Sequence, residues 1–331
     1  MNKKLIAITV VGALAAPVGV FAASADVKGY ADVGYMLVDE ASDPLSTCTG
    51  TGTGCTNPTE GKFTAGGEVD FTAGNDTVSA RIDADLFLSP GAATSGAQIE
   101  QAYFAWKAHE NVTVLGGVFN DPIGLEAEDS RDLNTITHGQ LYNILDSQTA
   151  LDGDNVAGVA AAVGLGPVSV TLGFLNDLQQ VNEENSIALI VGGEVVKGLN
   201  VEVGYVTQKS DTGLDAGNVY DVNATYTMGG LAVNAEILGA AEVVDMGYGV
   251  GASYDFGNGL QAAIRYDSVG YDITGLDDTT TVSIAGAYAL ASNLKVRAEY
   301  RNNSDDNGVA TKFVSGGDGG VFQLQFVATL P

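Results

Sequence analysis

Apolar and polar residues alternate with a period of two along most of this chain. In the segment 78–88 the even-numbered positions are all apolar, and they alternate with Ser79, Arg81, Asp83 and Asp85. This period is typical of a β-strand with one face in contact with apolar surroundings and the other with water. We identify sixteen such segments of about ten to thirteen residues: 27–38, 61–73, 76–88, 97–108, 111–120, 154–163, 167–176, 185–196, 198–208, 217–228, 230–241, 244–256, 259–270, 278–290, 293–302 and 319–330.

The connections between these segments alternate in length. Short turns such as Gly74-Asn75-Asp76 join every second pair, whereas longer polar loops generally lie between them, for example 39–60, 209–216, 271–277 and 303–318. A soluble β-sandwich would also alternate in its side chains, but short turns at one end and long loops at the other are typical of a membrane barrel. We therefore predict an all-β fold, a 16-stranded antiparallel transmembrane β-barrel over residues 26–331, wide enough for an aqueous channel.

The N-terminus resembles a secretory signal. Two positive charges at Lys3 and Lys4 precede an apolar run over residues 5–20, and small residues end at Ala22 and at Ala25, either of which could precede the cleavage site. We predict a signal peptide over residues 1–25. No later apolar stretch reaches about 18 residues, so the exported chain could be periplasmic, secreted or an outer-membrane barrel.

The charge of the chain is strongly negative. The formal net charge is −27, and loss of the two leader lysines from the 14 basic residues, against 41 acidic ones, leaves −29. A chain of this charge would be repelled by nucleic acid, which we exclude as a partner.

Two cysteines, Cys48 and Cys55, lie in a Gly/Thr-rich loop and are the only ones in the chain. In an oxidising compartment such a pair most simply forms a local disulfide. A metal site would need further ligands, and the only histidines are His109 and His138. We predict the disulfide.

The longest connection, about residues 121–153, follows the fifth strand and is acidic. Its carboxylates are Asp121, Glu126, Glu128, Asp129 and Asp132, and the stretch 136–146 is predicted to form a short helix. A connection of this length in a compact protein is usually functional.

Sixteen strands with a long third external loop resemble the general porin architecture of Gram-negative outer membranes, in which that loop folds into the barrel and narrows it. The segment 117–126, GVFNDPIGLE, is similar to the Gly-x-Phe-x-x-Pro-x-Gly-x-Glu stretch of phosphate-selective porins and of a related β-barrel porin family. The resemblance implies an outer-membrane channel for passive diffusion of small hydrophilic solutes and ions. It also implies insertion by the barrel-assembly machinery, contact with lipopolysaccharide and a homotrimer. A phosphate-selective pathway would be strongly basic, so this acidic chain is instead predicted to be weakly cation-selective.

The few basic residues fall on the polar parity of strands that barrel closure makes contiguous: Lys28, Lys62, Arg81, Arg265, Lys295, Arg297 and Arg301. Opposed to the acidic residues of the long loop, they would resemble the porin constriction, where a transverse field orients dipolar solutes. Alternatively, they only solvate the lumen and balance wall acids such as Asp83, Asp85, Asp267 and Glu299.

Two other functions are compatible with a barrel. An enzyme is not predicted, because the chain has no Gly-x-Ser-x-Gly elbow and no His/Cys/Asp cluster with metal spacing, so no catalytic residue or cofactor is assigned. A structural or adhesive surface barrel could bind divalent cations such as calcium through acidic loops, for example 302–308 and Asp277-Asp278. No loop has the twelve-residue calcium spacing, so no metal site is assigned.

Overall fold

The computed structural model describes residues 24–38, 63–88, 96–126, 129–149, 151, 154–178, 184–208, 217–241, 244–272, 277–305 and 319–330. These residues form sixteen strands, one 3-10 helix (Ser130–Asp132) and one α-helix, α1 (Gln140–Gln148). The strands are β1 (Ser24–Val38), β2 (Phe63–Gly74), β3 (Val78–Leu88), β4 (Gly96–His109), β5 (Val112–Asn120), β6 (Asn155–Leu165), β7 (Val168–Asn176), β8 (Asn185–Val196), β9 (Leu199–Val206), β10 (Val219–Met228), β11 (Leu231–Ala240), β12 (Val244–Asp255), β13 (Leu260–Tyr271), β14 (Thr279–Ala291), β15 (Leu294–Asp305) and β16 (Gly319–Leu330).

The strands form one closed antiparallel barrel. Each strand pairs with the next in sequence, and β1 closes the barrel on β16 in a register that runs from Gly29 opposite Leu330 to Val38 opposite Val321. The predicted 16-stranded antiparallel barrel is therefore confirmed. Closure also removes the free edges that an open sheet would expose.

Predicted and observed strand ends differ by a few residues where the backbone forms a turn instead of a strand. The third segment was predicted to begin at 76, but β3 begins at Val78. The amides of Thr77 and Val78 both donate to the side-chain oxygen of Asn75 at 2.9 Å, so residues 75–77 form a compact turn. Asparagine favours such turns because its side chain can replace a backbone acceptor.

The two faces of each strand differ in chemistry. On β9, Val203 and Tyr205 are 47% and 41% exposed, whereas Glu202, Gly204 and Val206 are buried. Because the same apolar exposure recurs around the barrel, the outer surface is a broad apolar band of the kind that contacts lipid. Tyrosines 226, 254 and 288 face outward near the short turns, which agrees with an interfacial aromatic belt.

The buried apolar cluster lies inside the barrel, between the connection after β5 and the inner wall. Residues of that connection in the cluster are Ile123, Leu141, Ile144 and Leu145. Wall residues in the cluster include Leu115, Phe119, Val156, Leu175, Val206, Leu238, Val244 and Val269. The lumen is therefore polar only in part, because the inner wall beneath α1 is apolar.

The observed helix begins later than predicted. It starts at Gln140 rather than at 136, because the amides of Ile136 and Thr137 donate to the carboxylate of Glu299 and that of Gly139 donates to Glu126. Amides held by side chains outside the segment do not enter a helical ladder. None of the described residues belongs to a helix that is both long and apolar enough to cross a membrane.

Several predicted features fall outside the described residues: most of the signal peptide, Cys48 and Cys55 with their disulfide, Lys62, Glu128, and most of the long loops.

Candidate channel lining

The connection between β5 and β6 first contacts the inner wall at β9 and β11. Gly124 has a φ of +103°, a conformation that glycine adopts without steric cost, and the next amide, of Leu125, donates to Glu236 Oε1 at 2.9 Å. Ile123 packs directly on Gly204: a Cβ built there would lie 2.2 Å from Ile123 Cγ2. The Gly-x-Glu end of the sequence motif thus bends the chain onto the inner face of the wall.

Arg265 of β13 is the main attachment for the next part of the connection. Its side chain points inward, since it is 8% exposed while its neighbour Ile264 is 51% exposed on the outer face. One guanidinium nitrogen lies 2.6 Å from Glu126 Oε1, and Nε lies 3.1 Å from Asp267 Oδ2. The guanidinium also donates to the carbonyl oxygens of Thr137 (2.9 Å) and His138 (2.8 Å). The planar fork of arginine suits such a cluster of acceptors.

Glu299 of β15 holds the same segment from the neighbouring side. It is 1% exposed and accepts the amides of Ile136 at 2.6 Å and Thr137 at 2.7 Å, together with the Thr137 hydroxyl at 2.7 Å. Gln140, the first residue of α1, donates to Thr281 of β14 at 2.8 Å. Side chains of three adjacent strands, β13, β14 and β15, therefore hold residues 135–140 by hydrogen bonds. Those made by Arg265 and Glu299 are stronger than neutral hydrogen bonds because one partner is ionised.

Arg131 links the connection to the first strands of the barrel. Its guanidinium lies 3.3 Å from Asp70 of β2 and 2.9 Å from Asp129, and it stands over the ring of Tyr30 with 4.9 Å to the centroid. The backbone carbonyl of Arg131 accepts from Lys295 of β15. The surrounding carboxylates raise the pKa of Arg131 above its ordinary value, so this side chain stays charged.

The predicted basic residues divide into three groups. Arg265, Lys295, Arg297 and Arg301 lie on β13 and β15 and all reach the connection; Arg297 donates to the Leu133 carbonyl at 3.2 Å, and Arg301 approaches the His138 carbonyl at 3.5 Å. Arg81 of β3 pairs with a wall acid instead, at 2.7 Å from Asp83. Lys28 is exposed and pairs with Asp26 at 3.2 Å.

The predicted acidic residues are also separated. Glu126 pairs with Arg265, and both Asp129 and Asp132 approach Arg131, the latter at 3.7 Å. Asp121 lies apart from them at the end of β5, and its burial raises its pKa to about 7. Burial likewise raises the pKa of Asp154, whose carbonyl accepts the Asp121 amide. Glu126 and Asp129 are therefore paired at short range with arginines and Asp121 is buried near other acids, whereas the side chain of Asp132 is half exposed.

A second acidic group on the wall was missed at the level of sequence. Glu202 of β9, Asp221 of β10 and Glu236 of β11 are buried on the inner face. Asn223 donates to Asp221 at 2.7 Å and to Glu202 at 3.3 Å. The sequence signal that could have indicated these three acids is their place at the polar positions of alternating strands. Only the closed barrel shows that they face Asp121 and Leu125.

A closed barrel with an apolar outer face, a charged inner face and a connecting segment attached inside it defines a transmembrane β-barrel channel. Comparison with known proteins is more specific: the family model for Gram-negative porins matches residues 7–308. The chain belongs to the Gram-negative porin family.

Solved porin structures share this fold. The chain is similar to Salmonella typhi OmpF, solved in complex with daunomycin, with a TM-score of 0.71 and 14% identity over 92% of this chain and 97% of that one. It is also similar to the anion-selective porin from Comamonas acidovorans (TM-score 0.66, 13% identity, 93% and 100% covered). A third is the trimer form of OmpT from Vibrio cholerae (TM-score 0.60, 16% identity, 94% and 100% covered). No curated protein matches the sequence.

Family and fold together indicate an outer-membrane channel, and the predicted resemblance to Gram-negative porins is confirmed. The proteins of this family and fold are channels rather than enzymes.

Proposed function

We propose that this porin allows passive diffusion of small hydrophilic solutes and ions, with a weak preference for cations. The observation that supports the preference is the sign of the buried charges in the described barrel. With Asp121 and Asp154 left aside because their pKa is raised, the buried acidic side chains are Glu68, Asp70, Asp83, Asp177, Glu202, Asp221, Glu236, Asp267 and Glu299, whereas the buried basic ones are Arg265 and Arg297. A lumen with excess negative charge attracts cations and repels anions.

In this proposal the connection after β5 narrows the channel. Glu126 and Asp129 are neutralised by their arginines at short range, but the side chain of Asp132 is 50% exposed and adds negative charge to the passage. The exposed side chain of Lys28, on β1, contributes positive charge. A weak rather than a strong selectivity follows, because acids and bases both line the passage.

The test is the reversal potential of single channels in a planar bilayer under a KCl gradient. We expect a reversal potential whose sign shows cation preference. Its magnitude should be well below about 59 mV, the limit that a perfectly selective pore reaches in a tenfold gradient. Asp132→Asn should move the reversal potential towards zero, whereas Glu110→Gln, in an exposed turn between β4 and β5, should leave it unchanged. Anion preference in the wild-type channel would contradict the charge argument.

We also propose that the protein assembles as a homotrimer, is inserted by the barrel-assembly machinery and contacts lipopolysaccharide. The likeness to a porin solved in a trimer form supports the trimer, and the other two partners are expectations from the family. Unheated samples should migrate as a trimer that dissociates on heating. The alternative, a structural or adhesive barrel with cation-binding loops, would be favoured if the folded protein gives no stepwise conductance and no liposome swelling with small sugars.

A further inference from the structure

Three carboxyl groups lie side by side on the inner face of β9, β10 and β11. Asn223 of β10 pairs directly with Glu202 of β9 and with Glu236 of β11, so these residues form one row across the wall. Asp221 lies two positions before Asn223 on the same face of β10, diagonal to both glutamates. Directly paired and diagonal residues of a sheet are within about 8 Å of each other. All four side chains are buried, and Asp221 is 0% exposed.

The acids of this row are not compensated by a basic side chain. In the described part of the barrel, no ion pair includes Glu202, Asp221 or Glu236. A hydrogen bond instead joins the carboxyl groups of Asp221 and Glu236. Two ionised carboxylates have no proton to donate, so such a bond requires that one of the pair is protonated.

Backbone amides at the start of the connection after β5 donate to this carboxyl pair. The amide of Leu125 donates to Glu236 Oε1 at 2.9 Å, and the amide of Gly124 donates to Asp221. The φ of +103° at Gly124 turns both amides towards the wall. The start of the connection, residues 121–125, is therefore attached to the wall through carboxyl groups.

The end of the connection meets its start at the same place. The amide of Asp121 donates to the Asp154 carbonyl at 2.7 Å, and the amide of Asp154 donates to Asp146 Oδ1 at 2.9 Å. Asp154 has a φ of +56°, which few residues other than glycine adopt. Burial raises the pKa of Asp121 and of Asp154, and nearby carboxylates raise it further. Protons are therefore retained at the start of the connection as well as on the wall.

We propose that protons held among these carboxyl groups attach the start of the connection to the channel wall, and that their loss at rising pH releases residues 121–125 into the lumen. Once ionised, buried carboxylates at this spacing repel one another. The part that follows stays attached, because Arg265 remains charged at any of these pH values and holds Glu126. The proposal does not rest on the cation preference. The charged and titratable groups that face residues 121–125 are Glu126 with its partner Arg265, Asp146, Asp154, Glu202, Asp221 and Glu236.

The experiment is amide hydrogen–deuterium exchange of the full barrel in detergent micelles at about pH 5 and about pH 8, on either side of the raised pKa of Asp121. Each rate is divided by the intrinsic rate of an unstructured peptide at the same pH. The protection of residues 123–125 should fall about tenfold or more, since each retained proton changes the equilibrium up to about tenfold per pH unit. The amides of Ile136 and Thr137, which donate to Glu299, are the internal control and should stay equally protected.

Glu236→Gln tests the acid directly. Glutamine keeps an oxygen for the Leu125 amide but needs no proton, so residues 123–125 of this variant should be protected about tenfold better than those of the wild type at about pH 8. Glu194→Gln is the matched control, because Glu194 of β8 is exposed and accepts the amide of Gly198 at 2.7 Å, away from the cluster. It should keep the wild-type response to pH. If Glu236→Gln fails to fold, as judged by heat-modifiable migration, Asp221→Asn makes the same test at the other member of the pair.

Two results would overturn the proposal. One is a protection of residues 123–125 in the wild type that is equal at both pH values, or that falls in parallel with the protection of Ile136 and Thr137. The other is a wild-type response to pH in the folded variants of Glu236 and Asp221. Exchange is measured without ion flow, so this outcome and that of the reversal-potential test are independent.

Discussion

The attachment of the inner segment to Arg265 gives the most direct test of the structure. The perturbation is a double-mutant cycle of Arg265→Gln and Glu126→Gln, whose charged atoms are 2.6 Å apart. Removing one partner of a buried ion pair costs about 3–5 kcal/mol, because the other charge stays buried without compensation. In addition, Arg265→Gln leaves Asp267 and the carbonyls of Thr137 and His138 without this donor.

We expect Arg265→Gln to lower the free energy of unfolding by about 3–5 kcal/mol. The coupling energy between the two sites should be at least about 1.5 kcal/mol, the lower end for close charge pairs. The assay is urea unfolding in lipid vesicles, followed by the fluorescence of Trp106, the single tryptophan, which faces outward and is 45% exposed. Loss of the attachment should also increase current noise in single-channel recordings, because the segment becomes free to move in the lumen.

Arg301→Gln is the matched control. Among the described residues, Arg301 reaches the same segment through the His138 carbonyl at 3.5 Å and otherwise donates to Asn303 on its own strand at 2.8 Å. Its loss should therefore cost clearly less stability than that of Arg265. Equal costs for the two arginines, or a coupling energy below about 0.5 kcal/mol, would refute the assignment of Arg265 as the main attachment.

Two further predictions concern the start of the inner segment. Gly204→Ala should destabilise the barrel by about 1–3 kcal/mol, because the new Cβ would meet Ile123, and the added substitution Ile123→Ala should recover part of this loss in urea unfolding; no recovery would contradict the contact. Asp121→Asn should flatten the pH dependence of the free energy of unfolding. The pKa of Asp121 is raised from 3.8 to about 7 in the folded protein. The contribution of this side chain to stability is therefore fully present below pH 3.8 and is lost as the pH rises to about 7. The loss is on the order of 4 kcal/mol, visible as a falling urea midpoint in the wild type; an unchanged slope in Asp121→Asn, or an equal effect of Asp132→Asn, would refute it.

The strands of this barrel are predictable from local sequence. Alternation such as that of 78–88, with short turns like Gly74-Asn75-Asp76, depends on neighbouring residues only, and it located all sixteen strands to within a few residues. The identity of the inner face was also readable, because basic residues such as Arg81 and Arg265 fell on the polar parity. The predicted helix at 136–146 was misplaced because its first amides are taken by Glu299, which lies 163 positions away from Ile136.

The sequence by itself determined the architecture, since a period of two and the alternation of loop lengths are local properties that permit few folds other than a large barrel. Only the tertiary structure decided the chemistry of the lumen. It paired Arg265 with Glu126 and Arg131 with Asp70, and it brought Glu236 to the amide of Leu125. Such pairs depend on barrel closure, strand register and the path of the inner segment, and these join residues distant in sequence through geometry that no local pattern records.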